Sequence, residues 1–87
     1  MTPARAVTTA WRVIAGEAVI LTMDTKILCG LNAVGSRVWE LVDGRRNLEQ
    51  IVEVIVREFE VAPERARADV RAFLEHLAAR GLVTLDS

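Results

Sequence analysis

The stretch that decides the fold is residues 30–44, with the sequence GLNAVGSRVWELVDG. Asn32 is a favourable residue for the N-terminal cap of a helix, where its side chain accepts a backbone hydrogen bond. Apolar residues follow it at helical spacing, namely Val34, Val38, Leu41 and Val42. Asp43 and Gly44 then favour a turn. The stretch therefore predicts a helix that Asn32 caps and that ends at Asp43-Gly44.

The chain before Asn32 has the composition of β-strands. Residues 18–23 are rich in β-branched and apolar types, and turn residues flank them at Gly16-Glu17 and at Asp24-Thr25-Lys26. Turns so close on both sides favour a strand over a short helix. We therefore predict three strands joined as an antiparallel meander, at roughly 10–15, 18–23 and 26–31.

Two more helices are predicted in the second half of the chain. Asn47 caps the second helix, with Gln50 at the capping-box position, and the apolar face of this helix consists of Leu48, Ile51, Val52, Ile55 and Phe59. Pro63 suits the first position of the third helix, whose apolar stripe consists of Ala66, Val70, Phe73, Leu74 and Leu77. Gly81 is expected just after its C-terminus. Residues 82–85 either form a short final strand or pack against the core.

The predicted order of elements gives an α+β fold. A three-stranded antiparallel sheet is followed by three helices, which is a winged-helix-like arrangement. We expect residues 1–8 to be a flexible N-terminal arm and residues 9–87 to be the only domain, because a chain of 87 residues has room for one.

Composition argues against several classes of function. The chain has one Cys, which leaves no internal disulfide and no cysteine-rich zinc site. No nucleophile–base pair can be assembled, so we expect a protein that is not an enzyme and has no cofactor or metal. The net charge of −1 argues against a nucleic-acid partner. The sequence shows no membrane-spanning run and no secretory signal, so we expect a cytoplasmic protein without a membrane partner.

Beyond these local patterns, the chain resembles the PqqD-like family. Residues 30–44 are similar to the family segment G-L-N-x-x-G-x-x-[IV]-W-x-L-x-[DG]-G, and residues 48–52 are similar to its next helix. Residues 69–83 are similar to its ending, D-V-x-x-F-L-x-x-L-x-x-x-G-L. The resemblance extends over nearly the whole chain, from about Trp11 to Val83.

The resemblance implies a recognition element for ribosomally synthesised, post-translationally modified peptides. Such a domain binds the leader segment of a precursor peptide as a strand added to the third β-strand, in a groove lined by the third helix. It would act as a peptide chaperone that presents the precursor to a modifying enzyme. Free-standing members of this family serve radical-SAM proteins in cofactor maturation, as in PQQ biosynthesis, and leader peptidases in lasso-peptide pathways.

The residues expected to bind the peptide lie on the third strand and the third helix. The strand has no Pro and one charge, so its edge is poorly protected against pairing with an extended peptide. Its residues are Lys26, Ile27, Leu28, Cys29, Gly30 and Leu31. The helix contributes Arg65, Asp69, Ala72, Phe73 and His76. The opposite flank of the helix, with Arg67 and Arg71, is the alternative wall of the groove.

The conspicuous residues also have structural interpretations. Trp39 is expected in the core, and Cys29 is expected to be a small apolar strand residue. The arginines of the third helix are interleaved with Glu64, Asp69 and Glu75, which is typical of a solvated face of mixed charge. Attraction of an acidic leader peptide is the functional alternative for these arginines.

Two further hypotheses compete with peptide binding. The order of the helices also fits a winged-helix DNA-binding protein, although the acidic residues of the second helix and the balanced charge of the third oppose it. A structural subunit that forms a homodimer through the third strand would use the same edge without a peptide ligand.

Overall fold

The computed structural model describes residues 1–86, and within them five strands and three helices follow one another with short connections. They are β1 (Thr2–Arg5), β2 (Thr9–Ile14), β3 (Glu17–Thr22), β4 (Leu28–Gly30), α1 (Ala33–Leu41), α2 (Leu48–Phe59), α3 (Pro63–Ala79) and β5 (Val83–Asp86). The predicted α+β class is confirmed. The strand predicted as the third is β4, and the three predicted helices are α1, α2 and α3.

The strands β2, β3 and β4 form the predicted antiparallel meander, in that order across the sheet. β4 is shorter than predicted, because Lys26 has a φ of 59° and its N–H donates back to the C=O of Thr22, so regular pairing begins only at Leu28, opposite Leu21. Pairing continues as far as Gly30, opposite Val19. A short β4 presents a short edge.

The expected flexible arm over residues 1–8 is wrong for residues 2–5, and the expected single sheet is wrong as well. β1 pairs antiparallel with β5 along its whole length and forms a second, two-stranded sheet. The guanidinium of Arg5 donates to the backbone oxygen of Trp39 at 2.8 Å, which ties this sheet to the end of α1. With two sheets, the winged-helix-like arrangement stays a prediction.

The helix ends follow the local signals. The side chain of Asn32 accepts a backbone N–H in the first turn of α1. Asn47 and Gln50 make both hydrogen bonds of a capping box at the start of α2. Pro63 begins α3, and Gly81 follows its end with a φ of 75°, a left-handed conformation that favours glycine. These four predictions are confirmed.

The core lies between the inner face of the three-stranded sheet and the helices. Its fully buried large side chains include Trp39, Ile20, Ile51, Ile55, Leu74, Leu77, Val38 and Val42. Burial of each aliphatic side chain of this kind contributes roughly 1.5–3 kcal/mol. The predicted helical stripes are buried apart from Val34, which is 39% exposed, and Phe59 and Phe73, which are half-buried. The ring of Trp39 also packs edge-on against Trp11, with centroids 6.2 Å apart.

Two ion pairs join neighbouring helices on the outside of the molecule. Arg37 of α1 contacts Glu58 of α2 at 2.8 Å, and Arg67 of α3 contacts Glu49 of α2 at 2.6 Å. Hydrogen bonds from Arg37 lower the pKa of the Glu58 carboxyl, and hydrogen bonds from Arg67 lower the pKa of the Glu49 carboxyl. Because both pairs are exposed to solvent, apolar packing contributes far more than they do to the association of the helices.

Replacing Trp39 with Ala should lower the free energy of unfolding by about 3–5 kcal/mol, because the ring is fully buried and its removal leaves a cavity. Phe73→Ala should cost clearly less, because that ring is only half-buried. Urea denaturation followed by circular dichroism measures both values. Equal losses in the two variants would contradict the assignment of Trp39 to the core and of Phe73 to its margin.

Candidate functional site

β4 is the last strand of its sheet, so one of its edges is paired and the other is free. The backbone oxygen of Ile27 accepts a hydrogen bond from β3, and the N–H of Leu31 donates to β3. Backbone groups alternate in direction along an antiparallel strand. The N–H and C=O groups of Leu28 and Gly30 therefore point to the free edge, whereas those of Cys29 point to β3.

The end of β4 is fixed by the buried hydroxyl of Ser36 on α1. This hydroxyl accepts from the N–H of Ala18 at 2.6 Å and donates to the C=O of Leu31 at 3.2 Å. In a regular ladder these two backbone groups would bond to each other directly. The hydroxyl thus bridges β3 and the chain leaving β4, and it holds α1 beside the free edge.

An open groove of about 770 Å³ lies next to the free edge, between the β4–α1 connection and α3. Its lining is mostly apolar and includes Leu31, Val34, Gly35, Val38, Ile55, Val61, Ala66, Val70 and Phe73. Its polar side chains are Asn32, Glu60, Arg65 and Asp69. An apolar concavity with a few polar groups is typical of a ligand-binding site.

Some of the residues predicted to bind a peptide line this groove, namely Gly30, Leu31, Arg65, Asp69 and Phe73. Lys26 and Ile27 precede β4, and the side chain of Leu28 is 69% exposed on the sheet. Ala72 and His76 are exposed farther along α3 and do not belong to the lining. The groove therefore follows the N-terminal part of α3 and the end of β4.

The thiol of Cys29 lies apart from the groove. Its side chain is partly buried against the core, and its Sγ is 3.5 Å from the guanidinium of Arg80. It borders a second, smaller pocket of about 180 Å³ together with Arg80 and Asp24. This position agrees with the interpretation of Cys29 as a small apolar strand residue.

Several residues of the groove lining were missed by the sequence prediction. Val34 belongs to the apolar residues at helical spacing, but its side chain is 39% exposed at the start of α1. The position of Glu60 in the groove could not be predicted from the sequence, because it depends on a left-handed backbone conformation with a φ of 53°. Gly35 did give a signal in the sequence. Glycine inside a helix lowers stability, so its presence there indicates a close contact that a larger residue would obstruct. A Cβ at Gly35 would lie 3.1 Å from the ring of Phe73.

Each arginine of α3 has an acidic partner. Arg65 contacts Asp69 at 3.5 Å, and Arg71 contacts Glu75 at 3.7 Å, both within the helix. Arg67 contacts α2 at 2.6 Å. Of these groups, Arg65 and Asp69 line the groove. The arrangement favours the interpretation of a solvated face of mixed charge.

Residues 1–86 contain neither a cluster of metal-binding side chains nor a helix able to span a membrane. In that range, no three His, Cys, Asp or Glu side chains lie close enough together to hold a metal ion. The helices of the same range are too short or too polar to cross a bilayer. The chemistry that the groove offers is apolar contact, hydrogen bonding and charge.

Comparisons with known proteins identify relatives in sequence and in structure. The sequence matches the family model of PqqD, coenzyme PQQ synthesis protein D, over residues 17–83. The fold is similar to that of TbiB1 in complex with the TbiA(beta) leader peptide, with a TM-score of 0.88, 32% sequence identity and coverage of 97% of this chain and 98% of that chain. It is also similar to that of lasso peptide synthetase B1 complexed with the leader peptide, with a TM-score of 0.87 and 14% sequence identity. That match covers 98% of this chain and 100% of the other. No curated protein matches the sequence.

Ser36→Ala should lower the free energy of unfolding by about 1–3 kcal/mol, because it leaves the buried N–H of Ala18 without a partner. Urea denaturation measures the loss, and faster hydrogen exchange at the Ala18 amide locates it. Thr84→Val is the control, since the hydroxyl of Thr84 is exposed and lies 3.5 Å from its acceptor. A loss as small in Ser36→Ala as in Thr84→Val would mean that the bridge is dispensable.

Proposed function

The chain belongs to the PqqD family, and from that premise we propose that it binds the leader segment of a ribosomally made precursor peptide and presents it to a modifying enzyme. The observation that carries the proposal is the free edge of β4 beside an apolar groove. TbiB1, which is 32% identical to this chain, is in complex with a leader peptide in its structure. The proposed role is recognition, and catalysis belongs to the partner.

The proposed binding mode is the addition of the leader as an extra strand beside β4. Leu28 and Gly30 each direct one N–H and one C=O to the free edge. An extended peptide would pair with these groups, and each main-chain hydrogen bond contributes roughly 0.5–1.5 kcal/mol net. The added strand would lie about 4.8 Å beyond β4, along the opening of the groove.

Side chains of the leader would supply selectivity. Because alternate residues of a strand point to opposite faces, every second leader residue would face the helices. The groove offers apolar surface there, including Val34, Val61 and Phe73. We therefore expect apolar leader residues at the positions that enter the groove.

A leader peptidase is the partner enzyme that we favour. The relatives in structure are TbiB1 and a lasso peptide synthetase B1, each in complex with a leader peptide. Lasso-peptide maturation is therefore the proposed pathway for this chain. A radical-SAM protein, as in PQQ biosynthesis, is the alternative that the PqqD family match supports.

DNA binding is the weaker candidate function. The arginines of α3 are engaged in ion pairs, and the net charge of the chain is −1.

A homodimer would compete with the peptide for the same edge of β4. Light scattering across protein concentrations, with and without peptide, distinguishes these two uses of the edge.

Leu28→Pro should weaken peptide binding about tenfold or more, because proline removes an N–H that points to the free edge and its ring obstructs the edge. Binding peptides are first selected from a displayed library of random peptides on the wild-type protein. Isothermal titration calorimetry then measures the affinity of one selected peptide, and circular dichroism establishes that the variant is folded.

Val13→Pro is the matched control for the opposite edge of the sheet. By the same alternation, the N–H of Val13 points outward from β2, so its loss should leave the affinity unchanged. Cys29→Pro should instead destabilise the protein, because it removes a hydrogen bond to β3. Unchanged affinity in a folded Leu28→Pro protein would exclude binding along β4.

Asp69→Lys should change the affinity of the selected peptide by about 0.2–1 kcal/mol, because Asp69 lines the groove but is well solvated. Glu75→Lys is the matched control: it breaks an equivalent ion pair with an arginine one turn earlier on α3, outside the groove lining. Calorimetry on both variants is the measurement. Equal effects would mean that the charged rim of the groove takes no part in recognition.

A further inference from the structure

Glu60 occupies an unusual position at the end of α2. It is the C-terminal cap of the helix, with a φ of 53° and a ψ of 43°, which is the left-handed conformation. Among residues 1–86, only Ala15, Lys26 and Glu60 combine a positive φ with a side chain, and of these Glu60 alone lines the groove.

The backbone conformation gives no reason for a glutamate at this position. Glycine adopts the left-handed region without crowding a Cβ and is the usual residue at a helix end of this kind. Non-glycine residues held in sparsely populated conformations are concentrated at functional sites. The strain at Glu60 therefore points to a use for its side chain.

Within the described residues, the charged groups around Glu60 leave its carboxylate available to contact a ligand. The other charged groups of the groove, Arg65 and Asp69, contact each other at 3.5 Å. Within the described part of the chain, Glu60 takes part in no ion pair, and its side chain makes no hydrogen bond. No side chain caps the N-terminus of α3 by a hydrogen bond, so the Glu60 carboxylate is not engaged as a helix cap either.

Building on the proposed function, we propose that Glu60 selects a lysine or arginine side chain of the bound peptide at the α2–α3 end of the groove. The long aliphatic stem of such a residue can lie along apolar surface while its charged head stays near solvent. Val61, half-buried and also part of the lining, provides that surface next to Glu60. The cationic head would then meet the carboxylate of Glu60.

The test is selection of peptides from the displayed random library on three proteins: wild type, Glu60→Gln and Glu64→Gln. Glu64 is the matched control, because it is an exposed acid on the first turn of α3 outside the groove lining. Lysine and arginine should be enriched at one position of the peptides selected on wild type and on Glu64→Gln. The enrichment should be lost on Glu60→Gln.

Calorimetry on one selected peptide gives the magnitude. Replacing its enriched cationic residue with glutamine should lower the affinity about two- to fivefold on wild type and have no effect on Glu60→Gln. Glu60→Gly should raise the melting temperature, because glycine relieves the backbone strain, and should still lose the preference. Loss of the preference in a more stable protein separates recognition from folding.

Two results would overturn the role of Glu60: no cationic enrichment on wild type, or the same enrichment on Glu60→Gln. If the selected peptides bind Leu28→Pro as tightly as wild type, the proposed function fails, and this inference fails with it. If they lose affinity for Leu28→Pro but bind Glu60→Gln as wild type does, peptide binding stands and only the role of Glu60 is wrong.

Discussion

One buried amide positions the candidate site. Ala18 is fully buried, and its N–H has no partner on a neighbouring strand, because the chain leaves β4 after Gly30. A buried N–H without a hydrogen bond would cost about 1–3 kcal/mol. The hydroxyl of Ser36 satisfies it and also bonds the C=O of Leu31. Because Ser36 is part of α1, the same hydrogen bonds hold the helix against β3 and make it one wall of the groove.

The short length of β4 limits what backbone pairing can contribute. Leu28 and Gly30 offer two N–H and two C=O groups to a peptide. Four hydrogen bonds at roughly 0.5–1.5 kcal/mol each give roughly 2–6 kcal/mol. Micromolar affinity needs about 8 kcal/mol, and association has a further entropic cost. In the proposed binding mode, side chains in the groove must therefore supply a large share of the affinity, which would make a short edge selective.

Local signals predicted the helices, whereas long-range contacts could not be derived from the sequence. Asn32, Asn47 and Pro63 are each recognisable from the residues of the first helical turn. The final strand β5 agrees with one of the two alternatives for residues 82–85, whereas β1 gave no periodic signal, because a strand of four residues is too short and its partner lies at the opposite end of the chain. The edge strand was predictable as the last strand of the meander, in a segment with no Pro and one charge. The α3 side of the groove was expected from the family resemblance, whereas the side with Val34 and Glu60 was not, since these residues reach it only through the packing of α1 and α2.

The sheet has two free edges, and their side-chain surroundings distinguish them. β2 also directs backbone groups outward, at Trp11 and Val13. The space beside Trp11 is occupied, because its ring packs on Trp39 and the guanidinium of Arg5 lies 5.1 Å from its centroid. Beside β4, the groove is open, and the buried glycine at position 35 lets the ring of Phe73 pack close to α1. Backbone edges are chemically alike, so the volume available to side chains is what favours β4 as the binding edge.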